Sequence, residues 1–189
     1  MRRIYLAGPD VFLPDPQAQA QAKKALCARY RFAGVFPLDG GLDLSGLSPF
    51  QAGLAIARAN EELMRSADLM IANATPFRGP SLDAGTAYEM GFMRALGKPV
   101  LAYANVVGSY AERVAALSGQ PLARSPAGHL VDDRGMAVEA FDMADNLMIV
   151  GAVEASGAKL VLAGVPAGAE HTDLTAFERC LEQVAQLFA

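Results

Sequence analysis

Two acidic residues six apart, Asp83 and Glu89 in "GPSLDAGTAYEMGFMRALGKP" (79–99), mark the stretch of this chain best equipped for chemistry. One helical turn to either side, Glu89 meets Gly85, Thr86, Phe92 and Met93, so no salt bridge at i,i+3 or i,i+4 spacing accounts for it. Two readings stay open: a solvated glutamate on a helix surface, or a carboxylate kept unpaired for reaction. Paired carboxylates are the equipment of glycosyl transfer, one attacking the anomeric carbon while the other assists the leaving group. An anion beneath the sugar also stabilises the positive charge of an oxocarbenium-like transition state. Glu89 suits that role because Gly85 and Thr86 leave room for a sugar ring against the helix. Asp83 reads as a helix N-cap, and at the loop edge it could also protonate or hydrogen-bond a departing base if desolvation raises its pKa.

Other familiar sites are missing. Gly79, Gly85 and Gly91 do not form G-x-G-x-x-G, and no G-x-x-x-x-G-K-[ST] or G-x-S-x-G occurs. The only histidines, His129 and His171, have no Cys or carboxylate neighbours at metal-ligand spacing. Neither a metal nor an organic cofactor is expected.

Short apolar runs alternate with longer amphipathic segments, the pattern of βα units around a parallel sheet. Buried strands are expected at 3–7, 32–36, 68–74 and 99–104, with a fifth either near 136–140 or at 159–163. Asp15 and Pro16 open a first helix whose face carries Ala18, Ala22 and Leu26. "SPFQ" (48–51) has the form of a capping box and opens a second, with Ile56, Asn60, Leu63 or Met64, and Ala67 on one stripe. A third helix runs over 84–97, stopped by Gly97 and Pro99, and others follow near 108–119, 143–156 and 173–188. Residues 38–49 and 120–135 read as long surface loops.

Ligands of open parallel sheets bind at the carboxyl ends of the strands, which directs attention to "GPDVF" after the first strand and "TPFRGPSLD" after the third. Gly8 and Pro9 shape the first loop, and Asp10 is placed to touch sugar hydroxyls. Arg78 is either an exposed loop charge or a gate over the ligand. Asn60, on an apolar stripe, needs a polar partner if buried. Tyr5 by itself reads as strand core, and Asn146 as a helix cap.

The segments "IYLAGPDVF", "ANEELMRSADLMIANATPFRGPSLDAGTAYEMGFMRALGKPVLAY" and "ADNLMIVGAV" resemble the nucleoside 2-deoxyribosyltransferase family. The most specific part is D-x-G-T-x-x-E-x-G after an apolar strand. The resemblance, close over the first two-thirds of the chain and reaching 146–153, implies a flavodoxin-like, Rossmann-like α/β fold with a five-stranded parallel sheet flanked by helices, and the length of 189 residues reads as a single domain over 1–189. It implies that Glu89 is the nucleophile forming a covalent deoxyribosyl intermediate, that Asp83 contacts the base and moves the proton, and that the Tyr5 hydroxyl holds the nucleophile. It further implies homo-oligomers with shared sites, Asn146 being given to the sugar pocket of a neighbouring subunit. Asn60 stands where some members carry a base-contacting aspartate, which bears on base preference.

The reading is therefore an enzyme that exchanges bases on 2'-deoxynucleosides with retained configuration, free nucleobases being the co-substrate. Absence of a 2'-hydroxyl makes the cationic transition state less costly. The alternative is N-glycoside hydrolysis of deoxynucleosides or their 5'-monophosphates, which "DAGTAYE" partly echoes, although "GPDVFLPDP" offers acids where a phosphate would want basic contacts. A third reading is a nucleoside sensor without turnover. The 189 residues carry a net charge of −4 and no basic run, which excludes a nucleic-acid polymer as partner. Cys27 and Cys180 are expected as reduced thiols inside helices, and no apolar run has the length of a membrane span. A cytoplasmic location is expected.

Overall fold

The computed structural model describes residues 1–188. Five parallel strands form the sheet: β1 (Arg3–Ala7), β2 (Ala33–Val35), β3 (Leu69–Asn73), β4 (Val100–Ala104) and β7 (Val161–Leu162), in the order β2-β1-β3-β4-β7. Tyr5 lies opposite Met70 in the register of β1 with β3, and Asn73 opposite Tyr103 in that of β3 with β4. The helices are α1 (Pro16–Arg29), α2 (Pro49–Ser66), α3 (Ala84–Ala95), α4 (Tyr110–Ser118), α5 (Leu147–Glu154) and α6 (Thr175–Leu187). A short antiparallel hairpin, β5 (Ala123–Arg124) with β6 (Leu130–Val131), stands apart from the sheet.

β3 and β4 are buried along their whole length, as strands covered on both faces must be. On one side α3 packs against β3, β4, α2 and α5, and on the other α1 and α6 pack together. Alternation along β1 then sorts its side chains. Leu6 approaches α1, where a Cβ added to Gly34 would meet Leu6, Lys24 and Cys27, so Tyr5 faces α3.

The fifth strand is settled at Val161–Leu162, within the second of the two expected positions. Residues 136–140 instead extend the hairpin through a bridge between Val131 and Ala137, so the expected loop over 120–135 holds β5 and β6. The helix expected from 143 begins only at Leu147, because Asp145 and Asn146 have side-chain partners that hold them out of it. The face of α1 also differs from expectation. Ala18 and Ala22 are exposed, whereas Gln19, Ala20, Lys23 and Cys27 are buried. Alanine is too small to orient a helix by burial, and a buried ion pair at Lys23 orients this one. On α2, Ile56 is 40% exposed while Met64 and Ala67 are buried, so the expected stripe turns inward only towards the helix end.

Candidate active site

The site is assembled at the carboxyl ends of β1 and β3. The Tyr5 hydroxyl donates to Glu89 Oε1 at 2.6 Å, joining residues 84 apart in sequence. Tyr5 is completely buried and Glu89 partly so. Among the described residues, no cation lies within ion-pair distance of Glu89. Burial pushes the Glu89 carboxyl up to about 7; the Tyr5 hydrogen bond acts against this, and the negative charge of Asp83 adds to it. The Tyr5 phenol is pushed far above its ordinary range, first by burial and then by Glu89 itself, so it stays a donor.

Asp83 is the N-cap of α3, its Oδ2 accepting from the backbone N–H of Thr86 at 3.0 Å and from its hydroxyl at 3.3 Å. Among the described residues the other carboxylate oxygen has no hydrogen-bond partner. A Cβ on Gly85 would come within 3.0 Å of Asp83 Oδ2, so a larger residue there would crowd the acid.

The first loop is built on a buried polar node that the sequence did not disclose. Gly8 has φ +148, and a Cβ there would stand 2.4 Å from Asp10 Oδ2 and 2.6 Å from Asn73 Cβ, which only glycine avoids. Pro9 follows, buried, in a 3-10 turn running to Phe12. Asp10, expected to reach a sugar, is 0% exposed and faces inward. Its Oδ1 lies 2.6 Å from Lys23 Nζ, and its Oδ2 accepts from Asn73 Nδ2 at 3.3 Å. The Lys23 contact falls outside hydrogen-bond angles, leaving Oδ1 without a directed donor, so the pair is held by charge at short distance. Asp10 thus supports the loop instead of presenting a carboxylate to a ligand. Nothing in the sequence marks Lys23 as its partner, because a lysine in an alanine-rich helix reads as solvated surface.

Arg78 is exposed at φ 57, its guanidinium 4.7 Å from the Phe77 ring centre and 5.4 Å from that of Phe12. Phe12 and Phe77 stack at 5.4 Å, so Arg78 bridges the loops after β1 and β3 through their aromatic residues. Asn60 is partly buried, and its Oδ1 is buried without a partner. Its neighbour Glu61 accepts from the Tyr88 hydroxyl on α3 at 2.6 Å.

Asn146 is the N-cap of α5, with Oδ1 accepting from the Met148 N–H at 3.0 Å and Nδ2 donating to Glu139 Oε1 at 2.8 Å. It has no hydrogen bond to Glu89 or Asp83. Near it, α3 and α5 enclose an apolar cleft of about 500 Å³ lined by Met90, Gly91, Leu147, Met148 and Ala152, on the face of α3 turned away from Glu89. Among the described residues, no group of three or more His, Cys, Asp or Glu side chains is arranged to hold a metal. Both cysteines are free and buried, and among the described residues no helix is long and apolar enough to cross a membrane.

At the carboxyl edge of this α/β sheet, where ligands of such folds bind, a hydroxyl-held carboxylate without a cationic partner stands on the helix that a capping aspartate opens. The chain belongs to the nucleoside 2-deoxyribosyltransferase family, whose sequence profile matches residues 4–148. It is 30% identical over 164 residues to an uncharacterised protein of Schizosaccharomyces pombe, covering 82% of this chain and 78% of that one. A 2-deoxyribosyltransferase from Leishmania mexicana is similar in structure, with a TM-score of 0.66 and 26% identity over 96% of this chain and 98% of its own. A conserved protein from Enterococcus faecalis shares the fold with a TM-score of 0.50 at 22% identity, over 98% of both chains. These likenesses support an enzyme of the deoxyribosyltransferase type acting on nucleosides and nucleobases.

Proposed function

We propose that this protein transfers the 2-deoxyribosyl group between nucleobases in two displacements, with Glu89 as nucleophile. The observation carrying this reading is the 2.6 Å hydrogen bond from Tyr5 to an otherwise unpaired Glu89. In the first step the Glu89 carboxylate attacks C1' of a 2'-deoxynucleoside as the C1'–N bond breaks. The bond's electron pair stays on the departing base, which receives a proton relayed from solvent by Asp83. In the second step a nitrogen of the incoming base attacks C1' of the ester, Glu89 leaves as carboxylate and the proton returns to solvent through Asp83. Two inversions give overall retention.

Tyr5 holds one carboxylate oxygen and lowers the cost of its negative charge, leaving the other to attack. Burial makes Glu89 a stronger nucleophile than a solvated carboxylate, at the cost of a higher pKa. The orphaned Oδ1 of Asn60 suits an N–H donor on the base, and Gly8 and Pro9 bring backbone close to the sugar. Arg78 covers the entrance, and Gly85 keeps the helix clear for the ring. The protein works as a homo-oligomer in which Asn146 completes a neighbour's sugar pocket. Supporting this are the apolar cleft beside α5 and Met148, 71% exposed at its edge.

Incubation with deoxyadenosine plus cytosine or hypoxanthine, with products separated by chromatography, tests the proposal. A new deoxynucleoside establishes transfer. Free deoxyribose alone makes the enzyme a hydrolase, and binding without any product makes it a sensor.

A further inference from the structure

Asp145 and Arg113 belong to neither the nucleophile nor its hydrogen-bond partner, yet they converge on the segment that delivers Asp83. Asp145 is 3% exposed. Its Oδ1 accepts from the Ser81 hydroxyl and its Oδ2 from the Leu82 backbone N–H at 3.2 Å. Arg113 Nη2 lies 3.6 Å from Asp145 Oδ2, and its side chain is 14% exposed. The same guanidinium donates to the carbonyls of Pro80 at 2.8 Å, Gly108 at 3.2 Å and Ala144. Each of the three residues before Asp83 is therefore held by one member of this pair.

We infer that Arg113 and Asp145 are positioning residues, an ion pair between a part-buried arginine of α4 and a buried aspartate on the approach to α5, which fixes Pro80–Leu82 and so sets where Asp83 stands relative to Glu89. This inference rests on the proposed roles of Glu89 and Asp83. Its physical basis is rigidity. A planar guanidinium with several donors and a carboxylate with both oxygens engaged leave the loop no alternative low-energy arrangement once water is excluded. A largely desolvated pair of this kind is weak as a source of stability and better suited to selecting one conformation. Asp145 is also joined to Asn146, whose N–H it accepts at 2.7 Å, so the segment braces one subunit's acid with Asp145 and directs Asn146 towards α5's outer end.

The test reads Glu89 directly. The groups facing it are Tyr5 from β1 and Asp83 from the start of its own helix. On α2, Glu61 is held by Tyr88, and on α5, Glu154 is held by Lys159. Asp145→Asn sets an amide N–H against a backbone N–H whichever way the amide turns, that of Leu82 or that of Asn146, and Arg113→Lys cannot reach three carbonyls at once. Loosening the segment lets Asp83's charge withdraw and water enter, and both effects move the Glu89 midpoint down. Carbon-13 NMR titration of the glutamate carboxyls, with Glu89→Gln to assign the signal, is run beside kcat, KM and thermal unfolding. In Asp145→Asn and Arg113→Lys the midpoint falls and kcat drops about 10- to 100-fold, with KM changing less. Ser81→Ala, which keeps both charges and is mild enough to fold, lowers the midpoint less and kcat by only a few-fold. A wild type inactive on every deoxynucleoside, with the midpoint still shifting in the variants, removes the proposed function and upholds the brace. Lowered unfolding temperatures with unchanged midpoint and unchanged kcat per folded molecule overturn the inference.

Discussion

Replacing Tyr5 by Phe removes one hydroxyl from the centre of the sheet and alters little else, because the ring stays packed. The hydroxyl is the force holding the Glu89 carboxyl down, against burial and Asp83, which together push it up to about 7. A hydrogen bond to a charged group contributes about 1.5–3 kcal/mol, and about 1.4 kcal/mol corresponds to one pH unit. The Glu89 midpoint in the variant therefore rises by about one to two pH units. At pH 7, the ionised fraction falls from about one half to between about one in ten and one in a hundred, a loss of about 5- to 50-fold in turnover. The assay is kcat/KM for base exchange as a function of pH, because this ratio reports groups in the free enzyme. Wild type should show activity rising with pH through about 7, as Glu89 gives up its proton. Tyr5→Phe should show the same limb displaced upward, with much of the loss recovered at high pH. The Tyr5 phenol does not ionise in this range, so its own titration cannot imitate the effect. A variant limb at the wild-type position or below it refutes the role assigned to the Tyr5–Glu89 hydrogen bond.

Glu89→Gln should abolish base exchange and yet make the protein more stable above pH 7, by about 1–3 kcal/mol. The native carboxyl holds its proton more tightly than the unfolded one, so wild-type stability falls between about 4.5 and about 7 and is level above; the difference from the variant should vanish near pH 4.5, as urea unfolding at the two pH values will show. Gly8→Ala meets Asp10 and Asn73 at a backbone angle alanine resists, and should lose about 2–4 kcal/mol in denaturant unfolding. Lys23→Met leaves the Asp10 carboxylate buried without a cation and should cost about 3–5 kcal/mol, most of it regained in Lys23→Met with Asp10→Asn; a double variant no better than the single would disprove the ion-pair account.

Much of the sheet can be read from the chain because its strands are local events. Five to seven apolar residues between turn signals report burial on both faces, and β1, β3 and β4 lie where such runs occur. Capping works at the same range: Ser48, Asp83 and Ser109 bond to the backbone three residues on. Glu89 is conspicuous for a similar reason, since the absence of a partner one turn away is visible in one dimension.

Contacts across the chain are not legible in this way. The fifth strand is two residues long and is defined by its pairing with β4, which composition alone cannot place against the 136–140 alternative. Lys23 and Asp10 are charges whose burial depends on each other, so each reads as surface until α1 is docked. Asp145 and Arg113 likewise take their role from Pro80, Ser81 and Leu82, more than thirty residues earlier in sequence for Arg113 and more than sixty for Asp145. The sequence by itself determined which residues of this protein repeat with strand or helix period and which acid stood without a neighbour. Only the tertiary structure decided which buried charges meet, because a charge leaves water solely where folding brings it a partner.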